Sequence, residues 1–157
     1  MVNERISKDK YYLGIAVVVS ERSTCLRRRY GAVIVNNDEI VSTGYNGACR
    51  GEDDCLKLGE CLRNKLGIPK GERYELCKAV HAEQNAIISA PRSEMIGSTI
   101  YIAGTEVENG AIADGHPCDI CSKLIKNAGI SKVCILNKNR EPEVLNVSSM
   151  KLSIEER

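Results

Sequence analysis

Two short stretches hold residues able to do chemistry together: His81-Ala82-Glu83, and Pro117-Cys118-Asp119-Ile120-Cys121, which begins 34 residues after Glu83. His81, Cys118 and Cys121 offer one imidazole nitrogen and two sulfurs. That is the three-ligand set of a catalytic zinc whose fourth position is left to water, whereas a structural zinc takes a fourth protein ligand. A helix opening at His81 puts Glu83 in the same first turn, within reach of the bound water but not ligating the metal. Zinc lowers the pKa of its water toward neutrality. Two thiolates cancel the formal charge of the ion, so this zinc is a weaker Lewis acid than one held by three imidazoles. A neighbouring base is then needed, and Glu83 is the candidate.

The composition allows this chemistry and narrows its object. A chain of 157 residues, 43% hydrophobic and 27% charged, reads as one soluble α/β domain over 1–157. Its net charge is +1 and its pI about 7.5. Nucleic-acid-binding domains usually lie well above that, which favours a small substrate over a polyanion gripped on a broad face. No apolar run approaches the roughly 18 residues that span a bilayer, and residues 1–10 are polar, so a cytoplasmic location is expected. Eight cysteines in a reducing compartment point to metal binding or burial, not disulfides. Phe and Trp are absent, so any ring stacking must use Tyr or His.

Several elements must position the two stretches. Residues 7–22 read as a helix with Ser7 as N-cap and an apolar stripe on Tyr11, Tyr12, Ile15, Val18 and Val19. Residues 31–35 and 39–43 are β-branched runs joined by Asn36-Asn37-Asp38, a hairpin signal. The second runs into Gly44-Tyr45-Asn46-Gly47. From 48 to about 80 the chain is polar and aperiodic and carries Cys49, Cys55, Cys61 and Cys77; so long an insert needs something to order it. Residues 81–90 form a helix that Pro91 ends, with Ala82, Ala86 and Ile87 facing one way. A strand at 98–103, a long loop at 104–116 and a helix at 118–128 follow, the last with Ile120, Leu124 and Ile125 inward. Strands at 131–136 and 143–147 complete a mixed five-stranded sheet, with both ligand stretches opening helices at one of its ends.

The order His81-x-Glu83…Pro117-Cys118-x-x-Cys121 is the signature of zinc nucleobase deaminases. With it stand Cys25, Arg27-Arg-Arg-Tyr-Gly-Ala-Val-Ile-Val35, Ser42-Thr-Gly-Tyr-Asn-Gly47, His81-Ala-Glu-Gln-Asn-Ala-Ile87 and Ala128-Gly-Ile130. On these residues the chain, over roughly 7–136, resembles the cytidine/deoxycytidylate deaminase superfamily, most of all its dCMP deaminase branch. The resemblance implies a three-layer α/β/α fold, a homo-oligomer (hexamer or dimer) and regulation by a deoxynucleoside triphosphate effector. It also implies hydrolytic deamination of a cytosine nucleotide, dCMP to dUMP. Zinc-bound hydroxide would attack C4 while Glu83 carries the proton to ring N3 and on to the leaving ammonia. Two departures bear on substrate identity: the 104–116 loop is longer than in better-known members, and His116 replaces a small hydroxyl residue.

The resemblance also implies that Asn46 contacts sugar or phosphate and that the backbone at Ala82 reads the base carbonyl. Arg27 and Arg28, in the Arg27–Arg29 run, could form a bidentate phosphate fork; a solvated face is the plainer reading of such a run. Some dCMP deaminases carry a second, structural zinc, and Cys25 and Cys55 fall at positions resembling its ligands. The set expected here is Cys25, Cys55, Cys61 and Cys77, with Cys49 the competitor for the place of Cys61. Cys134, within Val-Cys-Ile-Leu, reads as a buried core thiol. Two other functions share much of this pattern. One is deamination of a nucleic acid of the tRNA type or of a free nucleoside or base; the other is a non-catalytic, zinc-stapled interaction module.

Overall fold

The computed structural model describes residues 3–156; Met1, Val2 and Arg157, the ends of the single domain expected over 1–157, lie outside them. The chain opens with α1 (Lys8–Ser20), whose first turn is closed by Ser7 accepting from the Lys10 N–H at 3.2 Å. Its buried residues are Tyr12, Leu13, Ala16 and Ser20. The stripe expected through Tyr11 and Val18 is not the inward one: those two are 50% and 63% exposed. The cause is backbone contact. A Cβ on Gly31 would lie 2.1 Å from the Ala16 carbonyl oxygen, so small residues at the crossing fix how the helix is turned. Because α1 is apolar nearly all round, its period alone could not choose that face.

β1 (Arg28–Asn36) and β2 (Glu39–Tyr45) form the expected hairpin, with Asn37 and Asp38 at φ of 51° and 62°. Positive φ at both central residues matches the twist of the flanking strands. Two two-residue strands, β3 (Gly47–Ala48) and β4 (Ala79–Val80), pair antiparallel. They pinch off the Cys-rich insert at its neck, and it contains only the short helices α2 (Cys55–Leu58) and α3 (Leu62–Lys65) and a 3₁₀ turn at Tyr74–Leu76. The rest follows as α4 (Ala82–Ile88), α5 (Arg92–Met95), β5 (Thr99–Glu106), α6 (Asp119–Ala128), β6 (Lys132–Leu136) and β7 (Pro142–Asn146). α4 stops at Ile88, two residues short of the expected end, since Pro91 biases the chain before it away from helix.

The five-stranded sheet has the order β2-β1-β5-β6-β7, with β5 and β6 parallel and every other pair antiparallel. Strand alternation sorts its side chains onto two faces. Ala32, Ile34, Ile100, Ile102, Val133 and Ile135 pack under α4, α5 and α6; Val33, Val35, Tyr101, Ala103 and Cys134 pack under α1. The result is the three-layer α/β/α arrangement. Cys134 is fully buried as expected, and burial pushes its thiol up to about 12.

In α6 the buried residues are Cys121, Ser122, Ile125 and Ala128, while Ile120 and Leu124 are 43% and 37% exposed. The expectation of Ile120 and Leu124 inward is therefore corrected: the helix is turned so that Cys121 points beneath it toward His81. α4 sits equally close on the sheet, since a Cβ on Gly44 would lie 2.4 Å from both the Ala82 oxygen and the Ala86 nitrogen. The glycine serves close approach here, and its φ is not positive. No helix among the described residues is long and apolar enough to cross a membrane.

Candidate active site

The two ligand stretches meet because each begins a helix at the same end of the sheet. His81 is the N-cap of α4 and Cys118 the N-cap of α6. The Gln84 side chain accepts from the His81 N–H at 2.8 Å and so fixes the entry to α4. The Cys118 sulfur accepts from the Cys121 N–H, drawing both cysteines onto one turn. His81 Nδ1 lies 3.6 Å from Cys118 Sγ and 3.3 Å from Cys121 Sγ. Among the described residues these three form the one group of ligand atoms lying mutually within 4.8 Å. Nitrogen, sulfur and sulfur at this spacing suit zinc.

The electrostatics agree with the donor set. Hydrogen bonds from the Cys121 thiol and His81 bring Cys118 down to about 4, while Cys121, donating to its neighbour and buried, is pushed up. The pair thus shares its charge unevenly, with Cys118 the sulfur that favours the thiolate. Glu83 Oε2 lies 3.7 Å from Cys121 Sγ. The residue is 8% exposed, and burial raises its carboxyl above the ordinary range. A carboxylate held in so dry a place is a stronger base and holds a proton well.

In front of the triad lies a cavity of about 150 Å³. Asn46, Arg27, Arg28, Ala82, Glu83 and His116 all line it, as do Cys25, Cys55, Cys61 and Cys77. The Asn46 side chain is clamped to β1: its Oδ1 accepts from the Tyr30 N–H at 2.8 Å and its Nδ2 donates to the Arg28 oxygen at 2.9 Å. Arg28 Nε pairs with Glu106 at 2.8 Å, so part of its fork is already engaged. His116 reaches the cavity because the long loop folds back on β5. Glu106 N–H donates to the Ala111 oxygen and Ala113 N–H to the Gly104 oxygen. Asp114 then takes the His116 ring at 2.5 Å.

The four cysteines expected as a second metal set, Cys25, Cys55, Cys61 and Cys77, all line this cavity, but no three of their sulfurs lie mutually within 4.8 Å as the triad's ligand atoms do. Burial pushes the Cys55 thiol up first, and Cys25, Cys61 and Cys77 add to the shift. Cys49, the competitor, is exposed and lies outside the cavity wall. Sequence reasoning missed Arg63, Lys70 and Tyr74, all in the insert and all lining the cavity. The Tyr74 ring stands edge-on to His81 at 5.2 Å, and the Arg63 guanidinium lies 4.8 Å over Tyr74. Nothing in an aperiodic polar stretch signals such contacts.

The profile of the cytidine and deoxycytidylate deaminase zinc-binding region matches residues 6–137. A deoxycytidylate deaminase of Mycobacterium phage D29 is 38% identical over 80% of this chain and 91% of its own length. That of Schizosaccharomyces pombe is 34% identical over 82% of this chain, which spans 37% of the yeast protein's length. Among solved structures, the apo dCMP deaminase of cyanophage S-TIM5 superposes with a TM-score of 0.59 at 28% identity, covering 85% of this chain and 86% of that one. The same enzyme in complex with dCMP and dUMP gives 0.55 at 25% identity, covering 83% of each.

Proposed function

Because the chain belongs to the cytidine and deoxycytidylate deaminase family, we propose that it deaminates a cytosine nucleotide hydrolytically, dCMP to dUMP, with Glu83 carrying the proton. One observation supports this above the rest. His81, Cys118 and Cys121 converge within 4.8 Å beside a buried glutamate, on the wall of a cavity that Asn46, Arg27 and Arg28 also line. These three residues would hold zinc, which supplies Lewis-acid activation of water near neutral pH.

The remaining work falls to the chain's own groups. Glu83 accepts a proton from water, places it on ring N3 and helps protonate the departing ammonia, so that water and a cytosine become a uracil and ammonia. The Ala82 N–H, in the first turn of α4 where no intrahelical acceptor exists, reads the base carbonyl. Asn46, fixed to β1 by both ends of its amide, presents its remaining capacity to the sugar or phosphate. Arg27 and Arg28 offer charge to the phosphate, Arg27 as the less engaged of the two. A second, structural zinc on Cys25, Cys55, Cys61 and Cys77 would order the insert, which has no apolar core of its own. The whole acts as one deaminase domain interrupted by that insert at 48–80.

We further read the protein as cytoplasmic and homo-oligomeric. In support of the latter, Ile88 on α4 and Ile120 and Leu124 on α6 leave the outer side of the helical layer apolar and exposed. A deoxynucleoside triphosphate effector rests on the resemblance alone.

A panel of dCMP, CMP, deoxycytidine, cytidine, cytosine and tRNA, read by uracil or inosine formation, tests the reaction. Turnover is expected on dCMP; turnover of free cytosine or tRNA with none on dCMP would overturn the proposal. Metal analysis is expected to find two zincs per chain, falling to one in Cys55→Ser, and a parent stoichiometry of one would end the second site.

A further inference from the structure

A histidine that ligates a metal is ordinarily oriented by a hydrogen bond on the ring nitrogen facing away from the ion. The contacts that the His81 ring makes with hydrogen-bonding atoms among the described residues both run through Nδ1, to the two sulfurs. What meets the ring besides is Tyr74, whose own ring stands at 90° to it with centroids 5.2 Å apart. Aromatic pairs favour that perpendicular arrangement. The Gln84 side chain fixes only the His81 backbone, so the plane of the imidazole is left to its neighbours.

Tyr74 is itself held from behind. The turn leading into it has the Glu72 N–H donating to the Pro69 oxygen at 3.3 Å, and Arg73 follows at a φ of 52°. A residue with a side chain rarely enters that left-handed region, and it stays there only when surrounding contacts hold it. Arg63 supplies such contacts. It is 6% exposed, and its Nη2 donates to the Pro69 oxygen at 3.0 Å and the Glu72 oxygen at 2.6 Å, one at each end of the turn. Its guanidinium lies 4.8 Å over the Tyr74 ring. With both Nη2 hydrogens spent on carbonyls and a flat face on the ring, this side chain acts as a strut. Tyr74 then accepts from the Cys77 N–H at 3.0 Å, and four residues later the chain arrives at His81.

We propose that Tyr74 is a positioning residue for the metal site: its ring, backed by Arg63, sets the plane of the His81 imidazole so that Nδ1 faces Cys118 and Cys121. The Cys-rich insert thereby helps to hold the catalytic ion, although it supplies none of the three ligands. This rests on the zinc-holding role proposed above for His81, Cys118 and Cys121, and adds what keeps the imidazole in place. A ring ordered before the ion arrives loses less freedom on binding it. Outer partners of a ligating imidazole are typically worth about 10- to 100-fold in metal affinity.

The test measures zinc retained against a chelator series in the parent, Tyr74→Leu, Tyr74→Phe, Arg63→Gln and the Tyr74→Leu/Arg63→Gln double variant. The ion concerned is the one missing from His81→Ala. Tyr74→Leu is expected to weaken its binding about 10-fold or more, and Tyr74→Phe, which keeps the ring, to stay within about threefold of the parent. Arg63→Gln should weaken it less, and adding that change to Tyr74→Leu should cost little more, because Arg63 acts through the ring. In the cobalt(II) form, the visible bands absent from His81→Ala report ligand geometry. They should shift in Tyr74→Leu even at saturating cobalt, which a loss of fold stability alone would not cause. Parental retention in Tyr74→Leu, unshifted bands, or fully additive losses in the double variant would each overturn the proposal. Should Tyr74→Leu not fold, Arg63→Lys decides: it keeps the charge but has no flat face for the ring, and parental retention there overturns the proposal. An unchanged zinc count in His81→Ala would instead refute the zinc-holding role itself. A parent that binds the ion but leaves dCMP intact would refute the deaminase reading and leave this result standing.

Discussion

At the residue scale, the roles of His81, Cys118, Cys121 and Glu83 separate by what each atom can do. The first three converge their ligand atoms, whereas Glu83 touches the group through the Cys121 sulfur and is left with a carboxylate that burial makes more basic. In the proposed reaction, holding the metal and moving the proton therefore fall to different side chains. Glu83→Gln keeps the size and much of the hydrogen bonding of the carboxylate but cannot accept a proton. Turnover is expected to fall at least about 10²- to 10⁴-fold, while metal analysis finds the catalytic zinc still bound. Substantial activity in that variant would remove Glu83 from the mechanism. The four residues were readable from the sequence because each is a reactive type at a fixed offset within one of two short motifs. The burial of Arg63 was not readable: it depends on the carbonyls of Pro69 and Glu72 and the ring of Tyr74, which the fold brings around it.

At the scale of elements, the two helices that open at the site are placed by contact with the sheet, not by their own amphipathic pattern. α6 shows this well. Its isoleucines and leucine read as an inward stripe, but Cys121 must face His81, and the helix is turned accordingly, with Ile125 fully buried and Leu124 part-exposed. Ile125→Ala is expected to cost about 2–5 kcal/mol in denaturant unfolding, the usual range for emptying a packed site. Leu124→Ala should cost less than about 1 kcal/mol in the isolated chain. Similar losses at both positions would contradict the phase of the helix. The same logic governs α1, where Gly31 admits the Ala16 carbonyl and so decides which side of a nearly all-apolar helix is buried.

At the scale of the whole molecule, the layers are tied together by hydroxyl contacts whose pH dependence can be read. Tyr12 on α1 donates to Asp38 in the β1–β2 turn at 2.5 Å. That hydrogen bond, with some help from burial, pushes its phenol from 10.0 up to about 12, and the same bond draws Asp38 below its ordinary value. A raised folded-state pKa means that the contribution is fully present below pH 10 and is lost as pH rises through about 12. Melting temperature should therefore fall across that window more steeply in the parent than in Tyr12→Phe, which has no proton to lose at this position. Parallel slopes would show that the contact contributes nothing to the alkaline limb. The pairing is at the protein surface on the Asp38 side, so the effect is expected to be modest and to shrink in high salt.

The amino-acid sequence by itself determined which residues could do chemistry together and most of the scaffold. Reactive residues at fixed short offsets, β-branched runs and turn residues such as Asn37 and Asp38 act through local geometry, which neighbouring positions in the chain specify. Tertiary structure alone decided which faces of α1 and α6 are buried and how the Cys-rich segment closes over the cavity. These features come from side chains and backbone meeting across 10 to 100 residues of separation, as Gly31 meets Ala16 and Cys121 meets His81, and no local pattern encodes a contact of that range.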